Sequence, residues 1–317
     1  MMTRRAFLNL CRALGIGVPL QTLTSLGRSQ QVNDAPESVV IVGAGAAGLL
    51  SGYLLGQLGV KYQILEASSV HGGRMKRDND FTDFPIPLGA EWLNTDARLL
   101  DDMVNTPSTG IKVDIGTYDP STSYGYWEDG ELSFTEIGEF DYQFFAGSSW
   151  FDFFDQYITP AVTQNILFDT IVTSVNYSGD DVVVSTQGGQ RFNAEKVIVT
   201  APVKILQDGD ITFVPKLPQR KVDAINNVTF WDGMKVFINF AEAFYPTFLE
   251  FADTERQLGD RVYYDAAYGR PTDANILGFF LIGEPVNRYK DLSDDALKNV
   301  ILAELDEIFA GQASQHY

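Results

Sequence analysis

Between Ser38 and Leu65 the chain reads SVVIVGAGAAGLLSGYLLGQLGVKYQIL, and this stretch constrains the fold more than any other. Val39, Val40, Ile41 and Val42 form an unbroken apolar run, rich in β-branched residues, of the kind that is buried on both faces in a parallel sheet. Gly43, Gly45 and Gly48 come at once after it in GxGxxG spacing. Leu49, Leu50, Tyr53, Leu54 and Leu58 then recur at helical intervals up to Gly59, and Tyr62–Leu65 is a second strand closed by Glu66. Each glycine has a job in a βαβ unit: Gly43 turns the chain, Gly45 admits a pyrophosphate to the backbone, and Gly48 lets helix and strand pack closely. The phosphates would sit on the free N–H groups and positive dipole end of the helix, beside Ala46 and Ala47. Glu66, 18 residues past Gly48, stands where a carboxylate accepts hydrogen bonds from ribose hydroxyls and disfavours a 2′-phosphate. These features together predict a dinucleotide site.

The segment after Glu66 narrows the ligand. Gly72, Gly73 and Arg74 come just after Glu66-Ala67-Ser68, and the run LEAS…GGRM resembles the extended fingerprint of the flavin amine oxidase superfamily. The resemblance implies FAD rather than a nicotinamide, with Ala67, Gly73 and Arg74 joining the cofactor site and Arg74 offering phosphate a planar fork of donors. Leu88-Gly89-Ala90-Glu91-Trp92 is similar to the family segment that runs beside the flavin ring, which places Gly89, Ala90, Glu91 and Trp92 among the cofactor-binding residues.

Between Ile166 and Thr200 the period changes to that of strands. Thr170–Val175, Asp181–Thr186 and Gln190–Phe192 predict an antiparallel meander, and Val197–Thr200 a further buried strand. By resemblance this is the return to the flavin domain: Val172 takes the position whose backbone meets the adenine, and Thr200, Ala201 and Pro202 pass close to the cofactor. Phe230-Trp-Asp-Gly-Met-Lys-Val-Phe-Ile-Asn-Phe resembles the strand that carries the family's active-site lysine, and Lys235 is the matching residue. In the family that lysine holds a water beside flavin N5 and assists reoxidation. Without the resemblance, Lys235 would read as a solvated edge charge. Ile276–Ile282 predicts an apolar strand, and Ser293 caps a helix whose Leu297, Val300, Ile301, Leu305 and Ile308 share one face.

From Asn94 to Ser149 the pattern loosens. Asn105–Gly110 is turn chemistry, and Tyr124–Phe134 predicts a hairpin turning at Asp129-Gly130. Phe140, Tyr142, Phe144, Phe145, Trp150, Phe151, Phe153, Phe154 and Tyr157 form an aromatic run, read as the packing face of a helix in preference to an amine-binding cage.

With 42 acidic against 23 basic residues the formal charge is −19, which argues against nucleic acid or an anionic membrane as partner. The single Cys11 excludes an internal disulfide, and His71 and His316 alone make no His-rich metal site or Ser-His-Asp set. Thr3-Arg4-Arg5-Ala6-Phe7-Leu8 resembles the twin-arginine export signal. The uncharged stretch Ala13–Gly27 suits its apolar region and is too short to span a bilayer comfortably.

The expectation is therefore an α/β chain. Its Rossmann-like FAD-binding domain (36–93 and 160–203), which includes a β-meander, interleaves with an α+β substrate domain (94–159 and 204–317) behind an export leader (1–35) directed to the bacterial periplasm. The family's carboxyl-terminal segment, which closes over the flavin, is not visible before Tyr317. The resemblance implies oxidation of an amine or amino acid to an imine, with oxygen reduced to hydrogen peroxide. A same-superfamily oxidoreductase acting on a polyene or porphyrinogen, and a non-catalytic remnant, remain open. So does a homo-oligomer or complementing chain as partner.

Overall fold

A computed structural model describes residues 38–94, 97–104, 111–251 and 258–317. The leader and the Asn105–Gly110 turn lie outside the described residues. Two compact units divide the chain. The first takes residues up to Lys76 with Asp96–Lys112 and Trp150–Thr229; the second takes Arg77–Thr95, Val113–Ser149 and Phe230–Tyr317.

The first unit is built on the predicted βαβ element. Strand β1 (Ser38–Val42) is followed by helix α1 (Ala46–Gln57) and strand β2 (Lys61–Leu65). The β1 run is apolar throughout because it is central: β2 pairs with it in parallel on one side and Lys196–Val199 on the other. Ile166–Leu167 adds a fourth parallel strand beyond β2. On α1 the buried face is Gly48, Leu49, Leu50, Gly52 and Tyr53, whereas Leu58 is 52% exposed. The expected leucine stripe is thus partly replaced by glycines. A Cβ on Gly52 would lie 2.8 Å from the Tyr62 ring, so the helix approaches the sheet through its small residues.

The meander forms as expected. Strands β3 (Val172–Asn176), β4 (Val182–Thr186) and β5 (Arg191–Ala194) run antiparallel, and Thr212–Val214 adds a parallel partner to β3. Their alternating valines pack with Val40, Val42 and Leu65 into one core. Strand β6 (Lys196–Val199) then returns to β1.

The second unit holds a six-stranded sheet. Its order is β7 (Gly233–Phe240), β10 (Asn275–Gly283), β9 (Gly259–Asp265), β8 (Phe248–Phe251), then the hairpin Ser123–Glu128 and Glu131–Glu136. Asp129 and Gly130, both at positive φ, make the predicted two-residue turn. Strand alternation sends neighbouring side chains to opposite faces. Tyr263 and Phe279, stacked with centroids 4.0 Å apart, turn toward one core; Tyr264 and Phe280 turn to the other face. Helix α3 (Asp294–Ile308), capped by Ser293, covers the first face with Ile301, Leu302, Leu305 and Ile308. Its Glu304 accepts from Tyr263 (2.7 Å), Tyr289 (3.2 Å), Arg261 (3.0 Å) and Arg288 (3.1 Å).

The aromatic run from Phe140 to Tyr157 does not act as one helix face. Gln143–Phe145 is a strand of the second unit, where Phe140 and Phe144 pack on Tyr118. Helix α2 (Trp150–Tyr157) belongs to the first unit and buries Phe153 and Phe154. The serines and glycine of Ala146-Gly147-Ser148-Ser149 break the pattern between them.

The tyrosines of the second unit carry a pH signature. Burial raises Tyr118, Tyr245, Tyr263 and Tyr264, and pushes Tyr289 up to about 12. Above the ordinary tyrosine value of about 10 the unfolded chain gives up protons that the folded unit retains, so stability falls as pH rises through that range. We expect the tyrosinate absorbance of these residues to appear cooperatively with loss of near-UV circular dichroism, in an alkaline transition well above pH 10. Smooth, independent titration near pH 10 would contradict the burial.

Candidate functional site

The predicted site residues gather into two groups, one in each unit. In the first unit Gly43, at φ 101°, takes the chain out of β1, and its N–H reaches the Leu65 carbonyl at 2.8 Å. A Cβ on Gly48 would stand 1.9 Å from the Gly43 carbonyl oxygen, so no other residue fits there. The amino end of α1 begins at Gly45 with no side chain capping it, and Ala46 and Ala47 are exposed there. The Gly72-Gly73 loop closes on this end: Gly72 donates to the Ala44 carbonyl at 2.9 Å, and a Cβ on Gly73 would lie 3.2 Å from the Gly45 Cα. Arg74, adjacent in the loop, is exposed.

Glu66 is buried, and the backbone fixes its carboxylate. Oε2 accepts the Ala44 N–H at 2.5 Å and Oε1 accepts the Ser68 N–H at 2.9 Å. Each oxygen keeps a second lone pair for a ligand hydroxyl. Ala67 beside it is exposed, and Val172 is buried at the start of β3, paired with Thr186. Thr200 has a role that its position alone did not reveal. Its Oγ1 donates to the Val42 carbonyl (2.8 Å) and lies 3.2 Å from that of Gly43, clamping the turn from the return strand.

These features suit a dinucleotide. An uncapped helix end supplies orphan N–H groups for a pyrophosphate, the glycines leave no Cβ between it and the backbone, and a pre-set carboxylate ends β2. FAD therefore fits this donor set.

The second group is centred on Glu91, which is buried. Lys235 on β7 donates to its Oε2 at 2.6 Å, and Tyr264 on β9 donates to the same oxygen at 2.6 Å. Arg270, in the turn after β9, places Nη2 3.9 Å from Oε1. Lys235 also donates to the Pro87 carbonyl at 3.2 Å, and its ammonium stands 5.2, 5.9 and 5.7 Å from the ring centroids of Trp92, Tyr264 and Phe280. Its side chain is 7% exposed, so it is no solvated edge charge although β7 is an edge strand. Register explains the convergence: Lys235 pairs with Phe280, and Phe237 with Gly278, which in turn pairs with Tyr264. Trp92 donates through Nε1 to the Tyr118 hydroxyl at 3.0 Å. Leu88 and Gly89 form a bend, and Ala90 follows it before Glu91.

Burial drives the electrostatics here. It raises the Tyr264 hydroxyl well above its ordinary value, with Glu91 adding to the effect. It lowers Arg270, against the pull of Glu91, and raises Asp265. Arg270 Nε donates to the Ala266 carbonyl, while Nη1 is buried without a hydrogen-bond partner. Tyr264 and Arg270 lie 173 and 179 positions from Glu91, so no local pattern announced them. Among the described residues no group of His, Cys, Asp and Glu could hold a metal ion, and no helix is long and apolar enough to cross a membrane.

Comparison with known proteins agrees with the geometry. The family described as flavin containing amine oxidoreductase matches residues 118–317, and an NAD(P)-binding Rossmann-like domain matches 41–106. Mouse lysine-specific histone demethylase 1B is 24% identical over 360 residues, 87% of this chain and 44% of its own length. Probable polyamine oxidase 4 of Arabidopsis thaliana is 32% identical over 139 residues, 43% of this chain and 27% of its own length. The chain thus spans less than half the length of these curated relatives. Putrescine oxidase bound to putrescine superposes with a TM-score of 0.70 at 15% identity, covering 89% of this chain and 83% of that one, a likeness of fold.

The closeness of Gly48 to Gly43 sets a test. Gly48→Ala should cost roughly 3 kcal/mol of stability in the first unit and abolish FAD retention, because the new methyl collides with backbone. Unfolding at wild-type denaturant concentration with flavin still bound would contradict the cradle.

Proposed function

Because the chain belongs to the flavin containing amine oxidoreductase family, we propose that it is an FAD-dependent oxidoreductase that oxidises a small-molecule amine, with oxygen as the final acceptor and hydrogen peroxide as a product. The observation that carries this reading is the cradle of Gly43, Gly45, Gly48 and Gly73 beside the backbone-pinned carboxylate of Glu66. The names of the relatives, a polyamine oxidase and a putrescine oxidase among them, support an amine as the substrate class.

In this reading the amino end of α1, with Ala46, Ala47 and Arg74, binds the pyrophosphate. Glu66 would accept from the adenosine ribose, and the Val172 backbone would lie against the adenine. When bound, FAD would supply the redox chemistry, a two-electron oxidation of the amine to an imine in which the carbon loses a hydride equivalent and the nitrogen a proton, with oxygen as the final acceptor of both electrons. The protein orients the reactants and excludes water. Lys235, held by Glu91 and the Pro87 carbonyl, would serve the oxidative half of the cycle by holding a water. No side chain need act as a strong base when the amine binds neutral. The resemblance of Thr3–Leu8 to a twin-arginine signal supports export to the bacterial periplasm as part of this reading, with the chain delivered folded with its cofactor.

Anaerobic mixing of the FAD-loaded chain with a panel of primary amines should bleach the flavin absorbance, and readmitted oxygen should restore it with release of peroxide. Failure of every amine to bleach bound flavin would overturn the assignment. Lys235→Met should slow reoxidation on the order of tenfold to a hundredfold while leaving flavin reduction nearly unchanged, in stopped-flow traces of each half-reaction. Unaltered reoxidation would remove Lys235 from the mechanism.

A further inference from the structure

An ammonium in an apolar pocket is held only as well as its counter-charge. Lys235 has three N–H donors, of which Glu91 and the Pro87 carbonyl take two. Its side chain is otherwise ringed by Trp92, Tyr264 and Phe280, which attract the cation but do not fix a direction. The direction of the third donor is therefore set by Glu91 together with the Pro87 carbonyl, and Glu91 is the shorter, charged partner of the two. Glu91 is fixed in turn: Tyr264 shares its Oε2 at 2.6 Å, and the guanidinium of Arg270, 3% exposed, faces Oε1. Tyr264 reaches it because its ring lies over Gly278, where a Cβ would come within 2.5 Å of the ring.

We propose that Glu91 is a positioning residue for Lys235, clamped by Tyr264 and Arg270 so that one ammonium donor is presented in a single direction. The proposal deepens the reading of Lys235 given above and rests on it for its catalytic consequence. It also gives Glu91 a task within its own unit, through its carboxylate, instead of a direct bond to cofactor. Packing alone would not need such an arrangement, since a buried ion pair gains little over apolar residues of the same volume, whereas removing one partner strands a charge.

Acylation of the full chain by an amine-directed reagent without added FAD, with mass spectrometry of each lysine-containing peptide, tests the geometry. In the unchanged chain Lys235 should be protected relative to Lys298, which is 37% exposed. Glu91→Gln should raise the ratio of Lys235 to Lys298 labelling about tenfold, the size of a contact-pair coupling, and Tyr264→Phe should raise it less. Glu304→Gln serves as control, because it loosens the opposite face of the same sheet without touching Lys235. An unchanged ratio in Glu91→Gln, or an equal rise in Glu304→Gln, would overturn the proposal.

The catalytic arm uses the FAD-loaded chain. Adding Glu91→Gln to Lys235→Met should slow reoxidation no further than Lys235→Met alone, as expected when one residue acts through the other. Multiplied losses would contradict the role of Glu91. If the unchanged chain bound FAD but no amine reduced it, the proposed function would fall, and the labelling contrast would still decide whether Glu91 holds Lys235.

Discussion

A carboxylate taken out of water must be matched by donors or give up its charge. Glu91 is matched by Lys235, Tyr264 and Arg270, from two strands and a turn of the second unit. The matching requires β7, β10 and β9 to keep their register, since a slip by one residue would send Lys235 and Tyr264 to the opposite face. That face is already committed: Tyr263 and Phe279 stack there, and Glu304 gathers two tyrosines and two arginines beneath α3. The sheet is therefore polarised, with a polar centre at the Glu91 end of one face and a helix-covered core on the other. Alternation along three strands produces both.

The first unit solves a different problem. Its ligand site is made of backbone, and backbone can approach a phosphate only where side chains are missing. Gly43, Gly45, Gly48 and Gly73 leave that space, while Thr200 and Glu66 hold the emptied turn in shape through hydrogen bonds to Val42 and Ala44. Glu66 thus has two tasks. It ties the end of β2 to the glycine turn, and in the proposed function its remaining lone pairs would accept from a ribose.

Legibility in the sequence tracks the range of the interactions. The βαβ unit, the meander, the Asp129-Gly130 turn and the Ser293 cap rest on neighbours a few residues apart, and periodicity and turn chemistry reveal such elements. Leu58 departs from its expected place because α1 ends at Gln57, and the close approach of the helix to the sheet is made by Gly52, a small residue that leaves no mark in a hydrophobic pattern. The aromatic run after Phe140 misleads for a related reason. Apolar content marks burial, but the break at Gly147 decides which unit each ring joins. Glu91 and Lys235 are legible only because the segments around them resemble a family. Arg270 and Tyr264 escape sequence reasoning: their partner is far away in the chain, and an arginine after a strand reads as surface. Thr200 is placed near the cofactor by resemblance, but its clamp on the turn emerges only in the folded chain.

Everything proposed for the chemistry depends on the glycine turn and Glu66 forming a site for the adenosine and pyrophosphate of FAD. Equilibrium titration of the purified chain, read by quenching of flavin fluorescence, tests this most directly when FAD and FMN are compared and ADP is added as competitor. FAD should bind, ADP should displace it, and FMN, which lacks the adenosine half, should bind far more weakly. Equal affinity for FAD and FMN, with no competition from ADP, would show that the cradle does not read the dinucleotide and would contradict the assignment.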